Sequence, residues 1–262
     1  MAQQRMPAMK DVLVIVPFPM SEENLATRRS QLNAVDLSDQ LRFTFRSTEA
    51  APRNYVSAAD MVLADIGILE VGQLAQDEGF AAVCIDTMSD SGVAALRSVL
   101  DIPVIGPGRA SMLTAMLLGS RFSVVTMWKH WFHLYEKTIG DLGIHSHVAS
   151  IRSIDVAPDN QALLSGKEKD IFPLLRAEAE AAITEDGAEA ILLGSTTMHQ
   201  AHAYLCETLD VPVINPGPLT YKLVEAMLGL GLSHSRAAYP KSPVPRTEMI
   251  AAMMTAAGTF EH

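Results

Sequence analysis

LDIPVIGPG at Leu100–Gly108 and LDVPVINPG at Leu209–Gly217 are nearly the same nine residues, written 109 positions apart. Upstream, GFAAVCIDTMSDSG from Gly79 aligns with GAEAILLGSTTMHQ from Gly187 at an offset of 108, so one residue has been gained or lost between the paired segments. Downstream, both copies run into helix-like text ending AMLLG and AMLGLG. Solenoid repeats run about 20 to 50 residues. A period near 108 is that of a duplicated half-domain.

The text around the repeat alternates short apolar runs, bounded by Gly, Pro, Ser or Asp, with longer amphipathic stretches. That is the pattern of parallel strands joined by crossover helices. DVLVIVP, RFTFR, AAVCID and IPVIG read as the strands of a first half, and RFSVVT, HVASIRSID, EAILLG and VPVIN as those of a second. Helices are expected from Ser57 to Glu78, with an apolar face of Met61, Leu63, Ile66, Leu69 and Leu74, and again after Ser91, from Trp128 and around Pro173. The predicted fold is α/β, with two pseudo-symmetric lobes, each a short, mostly parallel sheet flanked by helices, and a cleft between them. The lobes span residues 1–119 and 120–229. A tail, 230–262, passes through the Pro-rich YPKSPVPRT and closes with a helix over EMIAAMMTAAGTF that packs back on the first lobe.

At 262 residues and 48% hydrophobic content the chain can bury a substantial core. Its formal net charge of −10 disfavours nucleic-acid backbones and anionic membranes as partners. The opening stretch has an apolar run too short to span a bilayer and lacks a signal-peptide cleavage pattern, so a cytoplasmic location is expected. Cys84 and Cys206 lack the spacing of a zinc site or disulfide framework, and both are expected to be small buried hydrophobes.

Ligands of open parallel α/β sheets gather beyond the carboxyl ends of the strands. The two most polar strand ends are DTMSDSG at Asp86–Gly92 and GSTTMHQ at Gly194–Gln200, and the repeat makes Thr87 and Ser195 equivalents. Facing lobes would put them on opposite walls of one cleft, which suits chemistry needing one group on each face of a carbon.

VLVIVPFPMSEEN, CIDTMSDSG, IPVIG, RFSVVT, AILLGSTTM and VPVINPGPLTYKLVEAMLGLGLSHSR, taken in order, resemble the aspartate/glutamate racemase superfamily, nearest its hydantoin racemase branch. The resemblance covers nearly the whole chain, and its most specific run is the last. It implies a small-molecule substrate, no cofactor, a homo-oligomer, and two cysteines that remove and return a proton on opposite faces of a carbon beside a carbonyl. Here the sequence departs from the family. Thr87 and Ser195 occupy the two cysteine positions, and aliphatic hydroxyls are far weaker acids than a thiol with a reference pKa of about 8.5. Cys84, inside the apolar strand and one place out of alternation with Thr87, is no substitute.

The remaining site candidates follow from position. Met88, Ser89, Ser91, Thr196 and Thr197 bring side chains and backbone N–H groups to the strand ends, either as pocket donors or as ordinary helix caps. Asp86 and Asp90 are general-base candidates or, alternatively, cap and salt-bridge partners. His199 and His202 lie on one face of a helix starting after Ser195. A Ser195–His199 pair would support hydrolysis or elimination on a cyclic amide, imide or lactone. Pro17 turns the chain after the first strand, and Phe18 there favours a more apolar substrate than aspartate. Tyr55, Met127 and Trp128 are further pocket candidates; the aromatic run TMWKHWFHLYEK serves a subunit interface equally well. His130 and His133 lack a third metal ligand nearby. Isomerisation through an enolate-like intermediate is the first expectation, hydrolysis or lyase chemistry the second, and non-catalytic binding the third.

Overall fold

In the computed structural model, which describes residues 9–157 and 168–260, the repeat becomes two four-stranded parallel sheets. The first contains β1 (Lys10–Val16), β2 (Leu41–Ser47), β3 (Ala82–Ile85) and β4 (Val104–Ile105), in the order β2-β1-β3-β4. The second contains β5 (Phe122–Thr126), β6 (Val148–Ser153), β7 (Ala190–Leu193) and β8 (Val213–Ile214), in the equivalent order β6-β5-β7-β8. Val12 pairs with Ala82 in one sheet and Phe122 with Ala190 in the other. Each duplicated strand thus takes the same place beside the opening strand of its own half.

The strands are apolar throughout because both faces are covered, and their two-residue alternation divides the core. Val12, Val14, Val16, Ala82 and Cys84 face one layer, while Leu13, Ile15, Val83 and Ile85 face the opposite one. The second sheet divides likewise, with Phe122, Val124, Ala190 and Leu192 on one face and Val125, Ile191 and Leu193 on the other.

The helices are α1 (Glu22–Arg29), α2 (Ala58–Gly72), α3 (Val93–Arg97), α4 (Pro107–Leu118), α5 (Phe132–Leu142), α6 (Glu168–Thr184), α7 (Ala201–Thr208), α8 (Pro216–Leu230) and α9 (Thr247–Gly258). Ser57 and Asp60 form a capping box at the start of α2. The repeated Ile-Gly-Pro-Gly and Ile-Asn-Pro-Gly start α4 and α8 with proline in the first turn, where its missing N–H has no partner to lose.

Two expectations from periodicity change. Helix α2 ends at Gly72 and buries Ala64, Gly67, Ile68 and Gly72, whereas Leu74 is exposed. Close approach selected the small residues: a Cβ on Gly72 would stand 2.7 Å from both Ile15 Cδ1 and Leu96 Cδ2, and one on Gly67 3.1 Å from the Ala50 carbonyl oxygen. Cys206 is exposed, not buried, because Ala201 and Leu205 supply the inward face of α7.

The helices following the repeat are exchanged between sheets. Met112 and Ala115 of α4 pack on the second sheet, with Phe122, Val124 and Leu192, although α4 lies within residues 1–119. Tyr221 and Val224 of α8 pack on the first sheet against Val12, Val14 and Phe45, although α8 lies within 120–229. The two helices also pack on each other. The halves of the repeat therefore describe the sheets, and each sheet takes one covering helix from the other half.

The tail then returns to the first sheet. Ser233 Oγ donates to the Asp101 carbonyl oxygen at 2.6 Å, His234 Nε2 contacts the Leu100 carbonyl oxygen at 2.9 Å, and Arg236 pairs with Asp101 at 3.0 Å. These bonds from SHSR hold the entry to β4. Beyond them α9 lies along α2, with Met254 buried beside Gly67.

Candidate active site

β3 ends at Ile85 and β7 at Leu193, so the next residues of each emerge at the carboxyl edge of a sheet, where the two halves meet. A cavity of about 50 Å³ lies there. Phe18, Arg28, Asn54, Tyr55, Asp86, Thr87 and Met88 line it from the first half, and Trp131, Leu134, Tyr135, Gly194, Ser195, Thr196 and Thr197 from the second. The duplicated strand ends thus supply Thr87 and Ser195 to one space.

Both hydroxyls sit in short relays. Thr87 Oγ1 is 3.2 Å from Ser89 Oγ, which is 2.8 Å from Ser91 Oγ. Ser195 caps a 3-10 turn over Thr196–Met198, accepting from the Thr197 N–H at 3.2 Å, and lies 2.7 Å from Thr197 Oγ1. Thr196 Oγ1 donates to the Asp86 carbonyl oxygen at 3.2 Å, which ties the two strand ends together. Gly194 leaves room for Tyr135: a Cβ there would stand 2.7 Å from the Tyr135 hydroxyl, which instead donates to the Gly194 carbonyl oxygen at 2.6 Å.

The floor of the cavity is charged and buried. Asp86 is 2% exposed and Arg28 3%. Arg28 Nε stands 3.2 Å from Asp86 Oδ2, and Gln31 Nε2 donates to both oxygens of the carboxylate at 3.3 and 3.4 Å. Burial pushes the Asp86 carboxyl above its ordinary range, against the pull of Arg28 and of bonds from Thr196 and Gln31. The upper wall is apolar. Phe18 and Tyr55 stack at 5.2 Å between ring centroids and pack with Leu134 and Trp131 across the junction, while the Tyr55 hydroxyl donates to the Pro17 carbonyl oxygen at 3.2 Å.

Other candidates lie elsewhere. Pro17 and Ser89 sit one layer behind the cavity, bonded to Tyr55 and Thr87. Met127 is buried in the core between the second sheet and α6 and α7, and Trp128 packs edge-on against Trp131 at 6.3 Å, so Trp131, Leu134 and Tyr135 are the residues of this segment that face the cavity. Asp90 accepts from the Gly108 and Arg109 N–H groups at 2.7 Å each and caps α4; burial raises its carboxyl to about 6 despite these two bonds. His199 Nε2 lies 3.5 Å from Ser30 Oγ and its Nδ1 is buried without a partner. Burial and the nearby Arg28 lower His199 to about 4. It does not bond Ser195. His202 Nε2 contacts the Val213 carbonyl oxygen at 3.0 Å, tying α7 to β8. His130 lies tilted against Trp128, and His133 Nδ1 lies 2.9 Å from the His130 carbonyl oxygen; no cluster of three metal-ligating side chains occurs among the described residues.

Arg28 and Gln31 escaped the sequence reading. Arg28 looks like an ordinary cation in the last turn of α1, yet it follows Leu25 by three residues and so shares that helix's buried face.

Two pseudo-symmetric four-stranded parallel sheets that meet at a shared cleft match a known group of enzymes. The family described as Asp/Glu/Hydantoin racemase matches residues 21–224. The chain belongs to that family. Hydantoin racemase of Rhizobium meliloti is 33% identical over 193 residues, covering 72% of this chain and 79% of that protein. The allantoin racemase structure from Klebsiella pneumoniae superimposes with a TM-score of 0.81 at 27% identity, covering 90% of this chain and 95% of that one. Allantoin racemase from Pseudomonas fluorescens gives 0.80 at 26% identity, covering 90% and 98%. Membership makes the chain a racemase-type isomerase. The hydrolase alternative is not favoured, and the Ser195–His199 pair it requires is not formed.

Proposed function

We propose that the protein is a cofactor-independent isomerase acting at a carbon beside a carbonyl in a small ureide or carboxylate, through an enolate-like intermediate. The observation that carries this reading is the convergence of Thr87 and Ser195, one from each half of the duplication, on a single cavity with a buried carboxylate. In this reading the hydroxyls of Thr87 and Ser195 take opposite sides of the substrate. With Thr197 and the strand-end N–H groups they donate to the oxygen that gains charge as the C–H bond breaks. Asp86, the carboxylate lining the cavity among the described residues, accepts the α-proton. The electron pair moves into the carbonyl, and Asp86 returns the proton to the face it came from or, once the planar intermediate has turned over in the cleft, to the other face, which gives both enantiomers. A carboxyl raised by burial is suited to both accepting and returning a proton.

The cavity has room for a few waters rather than for a ureide, so substrate entry separates the Phe18–Tyr55 stack from Trp131 and Leu134. We further assign the protein to the cytoplasm as a homo-oligomer. The absence of a helix long and apolar enough to cross a membrane among the described residues supports the first part of that assignment, and the acidic net charge agrees with it. The test is loss of optical rotation with enantiopure 5-substituted hydantoins, allantoin and small chiral carboxylates. Racemisation of at least one, abolished in Asp86→Asn, is expected. Hydrolysis products without racemisation would overturn the reading.

A further inference from the structure

We infer that Ser89 and Ser91 join Thr87 to the carboxylate of Asp65 as a proton path between the cleft and solvent, so that hydrogen from solvent enters the cleft at Thr87. The inference rests on the isomerase reading of that cleft and adds to it a residue outside the cleft. Thr87 lines the cavity, and its Oγ1 is 3.2 Å from Ser89 Oγ. Ser89 Oγ is in turn 2.8 Å from Ser91 Oγ, and both serines are buried. The Ser91 side chain bonds to Asp65 of α2, whose carboxylate also accepts from the Gly92 N–H at 2.7 Å. Asp65 itself is exposed. Three hydroxyls in series therefore run from the cavity wall through the protein interior to a carboxylate that meets water.

A hydroxyl both donates and accepts, so a series of them can pass a proton along without any member being left ionised. With Asp65 ionised, Ser91 donates to it, Ser89 to Ser91 and Thr87 to Ser89, and Thr87 turns a lone pair to the cleft. With Asp65 protonated the order reverses, and Thr87 donates into the cleft, as stabilisation of the oxyanion requires. The Ser91 N–H, 3.3 Å from Ser89 Oγ, donates to it in either order. From the protonated state the transfer is balanced. Asp65 gives its proton to Ser91 Oγ as Ser91 passes its own to Ser89, Ser89 to Thr87, and Thr87 to the carbon from its own side of the cleft. Asp65 is left as a carboxylate, which water reprotonates. Partial burial raises the Asp65 carboxyl against the pull of the Gly92 N–H, Lys137 and Ser91, which suits a group that takes up and releases a proton. Asp86, by contrast, is buried, so the hydrogen it takes is the hydrogen it gives back.

Hydrogen isotopes distinguish the two routes. A compound that racemises in the panel above, followed by proton NMR in D2O, should give a product enantiomer that carries deuterium at the α-carbon from the first turnovers. Asp65→Asn keeps an acceptor for the Gly92 N–H but holds no proton to relay. It should lower kcat about 10- to 100-fold with KM within about twofold, and its product should keep the α-proton. A carboxyl carbon NMR titration needs no turnover. Ser89→Ala, which leaves Ser91 and Asp65 in place, should raise the Asp65 midpoint, since the Ser91 donor loses the bond that polarises it. Lys137 and Tyr55, the titratable groups that interact with Asp65, are unaltered in that variant. Ser89 also lines a second cavity, of about 260 Å³, with Asp90, Arg97 and Arg109. An Asp65→Asn protein equal to the wild type in rate and deuterium content would place the solvent outlet there and overturn the inference. An Asp65 midpoint unmoved by Ser89→Ala would overturn it as well. Racemisation with either of these results would leave the isomerase reading standing and remove this one. A shifted midpoint without racemisation of any compound would do the reverse.

Discussion

In the proposed mechanism Thr87 and Ser195 stand where the family resemblance places two thiols, and they ionise far less readily. Either hydroxyl changed to alanine removes one donor to the developing oxyanion, and the loss of kcat should be about 10- to 1,000-fold, with little change in stability. Thr87→Cys combined with Ser195→Cys, measured by optical rotation, should raise racemisation, since a thiolate is the more accessible base. A second residue-scale prediction concerns His199, held neutral by burial with its ordinary value lowered to about 4. The unfolded chain takes up a proton near pH 6.5 and the folded one only near 4, so the contribution to stability is complete above 6.5 and is lost as pH falls through that window. Its size is on the order of 3 kcal/mol. Urea unfolding at pH 7 and pH 4.5 should show the loss in the wild type and a flatter profile in His199→Leu. Residues of this kind divide by legibility. Thr87 and Ser195 were readable because the duplication singles them out as equivalents. Arg28 was not, because what marks it is burial beside Asp86, a contact that exists only in three dimensions.

At the scale of elements, glycines and caps explain the repeated motif. Gly108 places its N–H against Asp90, and a Cβ there would strike the Met88 carbonyl oxygen. Gly217 occupies the same place in the second copy, where a Cβ would strike Gln31 Oε1. Gly217→Ala should therefore displace Gln31 from Asp86 and depress activity along with stability. Asp90→Ala leaves two N–H groups of α4 without their cap and should cost about 1–2 kcal/mol in chemical unfolding, while kcat stays within about threefold because Asp90 lies outside the cavity. Strands were legible from apolar runs and their parallel arrangement from the crossover helices between them, whereas their order within each sheet was not read. The buried face of α2 was not legible, because periodicity weights large apolar side chains, whereas three of the four residues this helix buries, Ala64, Gly67 and Gly72, are small. Pocket residues after β5 were misplaced by a few positions for a related reason. The 3-10 turn at Lys129–Trp131 intervenes before α5 and directs Trp131, Leu134 and Tyr135, not Met127 and Trp128, to the cavity.

Over the whole molecule, exchange of α4 and α8 makes each sheet depend on the other half for a covering layer. A fragment ending before α8 would expose Val12, Val14, Ala82 and Phe45, so residues 1–119 alone should fail to fold cooperatively, and the full chain should unfold in one transition by both circular dichroism and fluorescence. The same exchange fixes the two strand ends relative to each other, and a shared cleft with one hydroxyl from each half is its consequence. Sequence duplication alone implied facing lobes; which helix covers which sheet is a tertiary fact with no local signature. The most direct test of the central claim is proton NMR in D2O of the purified protein with a panel of enantiopure 5-substituted hydantoins, allantoin and small chiral carboxylates. Loss of the α-proton signal together with loss of optical purity is predicted for at least one of them, in the wild type and not in Asp86→Asn. Persistence of that proton while a ring-opened product accumulates would contradict the account.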